Sequence, residues 1–232
     1  MRLNKYIAQS GVCSRRHADE LIGEGRVKVN GEVVRTPGIQ VVPGDQVSVD
    51  HQPLRASELV YVIMNKPAGV TSTVEDPFAQ KKIVDMVPSR LGRLYPVGRL
   101  DKDSRGLIIL TNDGDLCQKL THPRFEIEKE YVVLADGRVP QSACLRFKRG
   151  IKDQGELLKV TSVRIQGYRG DQTVLQVIVK EGKKRHLRRL FAYVGYPVRD
   201  LKRVRIGNIR LGNLAEGEFK IVDKKIIYGL IR

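Results

Sequence analysis

The sequence predicts an α+β protein in two parts. A small helix–helix–strand unit covers residues 1–50, and a domain of mixed, largely antiparallel sheet covers residues 59–232. Three observations predict this. Apolar residues at helical spacing in the first part occupy two short stretches, followed by short alternating valine strands. From residue 59 strands outnumber helices and do not alternate with them regularly, which argues against a doubly wound parallel sheet. Between the two lies HQPLRASE, residues 51–58, which lacks periodicity and reads as a linker.

Leu3, Ile7 and Ala8 recur at helical spacing. Ser14 is then placed to cap a second helix, SRRHADELIGEG, that stops at Gly23 or Gly25. Ala18, Leu21 and Ile22 face its core, while Arg15, Arg16 and Asp19 do not. In RVKVNGEVV, Asn30 and Gly31 form a two-residue hairpin turn between alternating valines. Pro43-Gly44 opens another turn before QVSVD. Beyond the linker, LVYVIM, GLIILT, EKEYVVLAD and QTVLQVIVK read as strands, and PQSACLRFKRG and KKRHLRRLFAYVG as helices. In the last, Leu187, Leu190, Phe191 and Val194 make an apolar stripe, with Arg185, Arg188 and Arg189 on other faces.

Charge narrows the function. The 232 residues hold 42 Lys+Arg against 26 Asp+Glu, a formal net charge of +16. Eleven of those cations lie between Lys180 and Arg210, against Glu181 and Asp200 alone. Such clustering points to a phosphate-binding surface, and nucleic acid is the expected partner. Lys183, Lys184, Arg185, Arg189, Lys202 and Arg203 are its expected contacts. Cys13, Cys117 and Cys144 are far apart and form no CxxC pair, and the four histidines have no ligand spacing. Neither a P-loop nor a dinucleotide-binding GxGxxG occurs, so neither metal nor cofactor is expected. There is no apolar run of about 18 residues and no signal-peptide pattern, so a cytoplasmic protein without membrane contact is expected.

Residues 96–114, PVGRLDKDSRGLIILTNDG, are the most specific stretch. They read as a glycine-flanked turn carrying Asp101 and Asp103, followed by a buried strand. A turn aspartate ordinarily shapes the turn or caps an element. Here Arg99 stands two residues before Asp101, and the apolar strand after Gly106 supplies a rigid base. A carboxylate near arginines stays ionised at neutral pH.

Two resemblances follow from these residues. MRLNKYIAQSGVCSRRHADELIGEGRVKVNGEVV resembles the S4 RNA-binding domain, which implies that Arg2, Lys5, Arg15, Arg16 and Lys28 touch phosphates. GRLDKDSRGLIILTN resembles the signature of the bacterial ribosomal pseudouridine synthases that join an S4 domain to a catalytic domain. NKPAGVTST (65–73), HPRFEIEKEYVV (122–133) and KEGKKRHLRRLFAYVG (180–195) look like that family's other motifs in the right order. The resemblance spans nearly the whole chain. It implies isomerisation of uridine in folded RNA to its C-glycoside, with no metal and no cofactor.

Residue by residue, the resemblance makes Asp101 the essential carboxylate, which either attacks C1′ or takes the 2′-proton. It makes Tyr131 the aromatic that stacks on the target base, and Arg188 the partner that pairs with Asp101. Arg99 would displace the target base, with Leu187 and His186 helping to position the substrate. The family usually has Gln where His186 stands; a neutral imidazole still donates and accepts one hydrogen bond each. The SRRHADELI, HPRFEIEKEY and RLYPVGRLD phrasing is most similar to the large-subunit members, the B type above all, which implies 23S ribosomal RNA. The short length, with no basic C-terminal tail, points instead to a 16S enzyme. The implied partners are ribosomal RNA and ribosome assembly intermediates, and a monomer is expected. A non-catalytic S4-type assembly factor would also suit a basic patch, but it has no need of Asp101, Tyr131 and Arg188 together.

Overall fold

Leu3 and Ile7 draw the first helix, α1 (Leu3–Gln9), onto a core completed by Ala18, Leu21 and Ile22 of α2 (Arg15–Gly23). The Ser14 side chain accepts the backbone N–H of His17 at 3.2 Å, so α2 starts where its cap was expected. Strands β1 (Val27–Val29) and β2 (Glu32–Val34) meet at Asn30 and Gly31. Both turn residues have positive φ (53° and 86°), as a two-residue hairpin turn requires. Strand β3 (Val47–Val49) pairs on the other side of β1. Residues 51–58, expected as a linker, differ in the structure: Gln52–Pro53 form β4 at the edge of this sheet, where a proline leaves no ladder donor missing.

The computed structural model describes residues 1–55 and 57–230. Residue 56 of the expected linker, and 231 and 232 at the end of the expected larger domain, lie outside the described residues. The chain divides into two compact units. The first holds Met1–Leu59 together with Ser89–Arg93 and Asn112–Gly114, short segments that the sequence reading assigned to the second.

The second unit is built on one nine-stranded sheet with the path β11-β12-β8-β13-β7-β5-β15. Its elements are β5 (Tyr61–Lys66), β6 (Tyr95–Pro96), β7 (Arg105–Thr111), α3 (Gly114–Thr121), β8 (Lys129–Asp136), α4 (Gln141–Arg149), β9 (Ile151–Asp153), β10 (Glu156–Leu158), β11 (Ser162–Arg169) and β12 (Gln172–Val179). They continue as α5 (His186–Val194), β13 (Val198–Ile206), β14 (Ile209–Arg210), β15 (Phe219–Ile221) and α6 (Lys224–Gly229). Strands β6 and β14 pair with β7 and β13 off the main path, and β9 and β10 form a hairpin of their own. Among the described residues every pairing of the sheet is antiparallel except β13 with β7, so the expected α+β class with largely antiparallel sheet is the class observed. Strand β5 is buried along its whole length, while β12 alternates buried and half-buried residues. A central strand covered on both faces reads as a continuous apolar run; one covered on a single face alternates. Helix α5 starts at His186, not at Lys183, and stacks Phe191 on Phe147 of α4 with ring centroids 4.1 Å apart.

The parallel pair β7–β13 sets the entry from the 100–104 turn into β7. Gly106 lies opposite Arg203 with φ +105°, and a Cβ there would sit 2.2 Å from the Arg203 carbonyl oxygen. Arg105 beside it makes a two-pronged pair with Asp200 of β13, at 2.9 and 2.6 Å. Gly106→Ala should therefore destabilise the protein by about 3 kcal/mol, from backbone strain plus overpacking. A denaturant titration checks this; an unchanged midpoint would show that β13 can retreat.

Candidate active site

Residues 100–104 form a turn held from below by the segment 66–72. Ser104 N–H donates to the Asp101 carbonyl at 3.0 Å and closes the turn. The buried Ser72 hydroxyl donates to the Leu100 carbonyl at 2.9 Å and accepts the Leu100 N–H at 3.2 Å. Gly69 N–H donates to the Lys102 carbonyl at 2.7 Å. Beneath them lies the ammonium of Lys66, which has no solvent exposure. It donates to the carbonyls of Ser104 at 2.6 Å, Pro67 at 2.9 Å and Lys102 at 3.4 Å. Burial lowers the Lys66 pKa to about 8, against the upward pull of Asp103 and Asp101.

This scaffold leaves the Asp101 side chain half-buried, and among the described residues no hydrogen bond or ion pair engages its carboxylate. Asp101 lines a cleft of 720 Å³ together with Arg99, Tyr131, His186 and Leu187. Five of the six residues expected at the reaction centre thus line one cavity, Arg188 being the exception, and Lys183, Lys184 and Arg185 of the expected RNA contacts line it too. Tyr131 comes from the middle of the sheet, paired with Val177 of β12 and Arg203 of β13. His186 and Leu187 come from the first turn of α5. His186 is 5% exposed, and neither ring nitrogen has a hydrogen-bond partner. Burial holds its pKa below the usual imidazole value, so the ring is neutral at pH 7.

Residues 60–193 match the model of the RNA pseudouridylate synthase family, and residues 1–47 match that of the S4 domain. The chain belongs to the RNA pseudouridylate synthase family. It is 39% identical to ribosomal large subunit pseudouridine synthase B of Bacillus subtilis (strain 168), over 94% of this chain and 90% of that one. It is 40% identical to the dual-specificity RNA pseudouridine synthase RluF of Escherichia coli (strain K12), over 98% of this chain and 77% of that one. A crystal structure of a pseudouridylate synthase aligns over 99% of both chains, with a TM-score of 0.69 and 29% identity.

In this synthase the expected Arg188–Asp101 pair is not the one formed. Arg188 Nε lies 3.3 Å from Asp103 instead, and its terminal nitrogens donate to the carbonyls of Asp103 at 3.0 Å and Val198 at 3.2 Å and to Ser104 Oγ at 3.3 Å. Arg188 therefore ties the turn to β13. The reason is reach: Asp103 is the turn's exposed carboxylate, and Arg185 also approaches it at 3.5 Å.

The basic cluster is more neutralised than its sequence suggests. Carboxylates from other parts of the chain fold against it. Arg189 pairs with Asp153 and Glu156, Arg205 with Glu128 and Glu130, and Lys180 with Glu126. Lys183 pairs with the neighbouring Glu181. Arg189, expected to face RNA, instead fastens the β9–β10 hairpin. Arg203, also expected on the surface, is 2% exposed and donates to the Leu107 carbonyl at 2.8 Å. Lys184, Arg199, Lys202, Arg203 and Arg210 carry no ion pair among the described residues. In the first unit Arg2, Arg15 and Arg16 are exposed, and Lys5 and Lys28 are half-buried.

Lys66 and Ser72 were not singled out by sequence reasoning, although both lie in the quoted NKPAGVTST motif. The available signal was a lysine two residues after the apolar run 59–64, close enough to the strand to be buried, where a charge must have partners. Because the Lys66 pKa falls from 10.5 in the unfolded chain to about 8 on folding, its contribution to stability increases as pH rises through that window. The stability advantage of wild type over Lys66→Met should therefore widen from pH 8 to 10.5. Denaturation midpoints across that range check it, and a pH-independent difference would show an unshifted lysine. Arg189→Met should lower the thermal midpoint while leaving the salt dependence of RNA binding unchanged; a reduced salt slope in filter binding would return Arg189 to the RNA surface.

Proposed function

We propose that this synthase isomerises a uridine of ribosomal RNA, 23S in preference to 16S, in the cytoplasm. The observation that carries the reading is the free Asp101 carboxylate, facing a cleft whose wall is Tyr131. The large-subunit activity named for the Bacillus subtilis relative supports the choice of RNA.

The target nucleotide must leave its stack, at a cost of a few kcal/mol. Exposed Arg99, on the same cleft, is placed to occupy the vacated position. Tyr131 presents a buried ring on which the extruded uracil stacks, and Leu187 closes the apolar side. The carboxylate of Asp101 then stands beside C1′ of the ribose. Breaking the N-glycosidic bond and rejoining through C5 needs an anion there, whether it attacks C1′ or removes the 2′-proton. Lys66, Ser72 and Arg188 fix the turn so that this carboxylate is positioned before substrate arrives. His186, buried with both ring nitrogens unpartnered, stands in the wall of the same cleft on the side of the base. Exposed Arg2, Arg15 and Arg16, with Lys5 and Lys28, hold RNA phosphates on the S4 unit, and Lys184, Arg185 and Lys202 do so on the catalytic unit.

Asp101→Asn keeps the shape of the side chain and removes the anion. It should lower pseudouridine formation by about 10⁴-fold, roughly 5.4 kcal/mol of transition-state stabilisation, with RNA affinity retained. Purified protein acting on 23S and 16S transcripts, followed by pseudouridine mapping, checks both substrate and residue. Wild-type turnover by the variant would remove Asp101 from the chemistry, and exclusive modification of 16S RNA would reverse the choice of subunit.

A further inference from the structure

A second cavity, of 990 Å³, adjoins the cleft of Asp101 and shares Arg99, Tyr131, Glu181, Gly182 and Lys183 with it. Its other walls carry Lys129, Lys148, Lys159, Lys180 and Arg203. Only two carboxylates line it, and both are already engaged: Glu126 by Lys180 at 2.8 Å, and Glu181 by Lys183. Lys129, Lys148, Lys159 and Arg203 have no ion pair among the described residues.

Two of these cations are held away from water. Arg203 is 2% exposed; its Nε is bonded to the Leu107 carbonyl, but its Nη2 is buried with no hydrogen-bond partner. Half-buried Lys129 donates only to the Ile127 carbonyl at 3.3 Å, and burial together with Arg203 lowers its pKa to about 8. Two uncompensated cations in a low-dielectric wall oppose folding. Such strain persists at sites where a ligand relieves it. The relieving ligand must be an anion. Uracil is neutral and makes no such demand, whereas every nucleotide of RNA brings one phosphodiester.

We propose that this cavity seats a backbone phosphodiester of a nucleotide flanking the target uridine, with Lys129 and Arg203 at its floor and exposed Lys148 and Lys159 beside them. The proposal rests on the reading that RNA enters the Asp101 cleft. It gives the buried Arg203 a role that surface phosphate contact cannot.

The test is filter binding of a 23S ribosomal RNA transcript by wild type, Lys129→Met, Lys129→Arg, the exposed double variant Lys148→Ala/Lys159→Ala, and Lys220→Met as a control outside the cavity. Lys129→Met should weaken binding about tenfold or more and reduce the salt slope by about one phosphate contact. Lys129→Arg should keep both. The double variant, whose changes are exposed and leave the fold intact, should also lose affinity, and Lys220→Met should match wild type. In the absence of RNA the thermal midpoint of Lys129→Met should hold or rise, because an unpaired buried charge is gone; a structural lysine would lower it.

Wild-type affinity and slope in both Lys129→Met and the double variant would overturn the proposal. So would protection of wild type by inorganic phosphate alone with no change in RNA binding by the variants, which would mark a small-anion site. Pseudouridine formation by wild type on the same transcript is scored separately. If it is absent while Lys129→Met still loses affinity, the phosphate seat stands and the proposed reaction falls.

Discussion

A buried ammonium is the constraint on which the cleft of Asp101 depends. Lys66 closes a fully buried strand and cannot be left there without acceptors. The carbonyls that satisfy it belong to Pro67, Lys102 and Ser104, so the charge can be buried only if the turn carrying Asp101 lies directly over it. Ser72 and Gly69 add bonds to Leu100 and Lys102, and Arg188 reaches the same turn from α5. These groups act on backbone, on Asp103 or on the Ser104 hydroxyl, and none acts on the Asp101 carboxylate. The Asp101 carboxylate is left without a partner at the cleft, above a turn whose backbone groups are held. For the proposed reaction this matters, because an anion already paired would have to break that pair before reacting.

The same separation between scaffold and function runs through the basic residues. Electrostatics along the chain and in space are different quantities, because a carboxylate tens of residues away can lie at 3 Å after folding. Arg189, Arg205 and Lys180 each acquire such partners and stabilise the sheet and its hairpin. The cations left unpaired are fewer, and two of them, Lys129 and Arg203, sit in the wall of the cavity next to the cleft. Net charge still draws the protein to a polyanion. Which cations do the drawing follows from the pairing.

Much of this architecture was legible before folding was considered. The Ser14 cap, the Asn30–Gly31 turn, the alternating β12 and the apolar β5 and β7 all follow from local rules of capping, turn geometry and side-chain alternation. The grouping of Asp101, Tyr131, Arg99, His186 and Leu187 was legible from motif resemblance alone, since these residues are spread over almost 90 positions and no local pattern connects them. Strands β11 and β13 were not read: β13 is crowded with charges, and those charges become compatible with a central strand only through partners on β7 and β8 and in the loop before β8.

The sequence by itself determined the fold class and most of the longer elements, which rest on periodicity, and through motif resemblance the identity of the residues that meet in the cleft. Tertiary structure alone decided which carboxylate Arg188 holds, that Gln52–Pro53 pair as a strand, that Arg203 is buried and that Lys66 lies beneath the turn. Ion pairs and burial depend on distances of a few ångströms between segments remote in sequence. No local pattern encodes such distances, and packing of the sheet sets them.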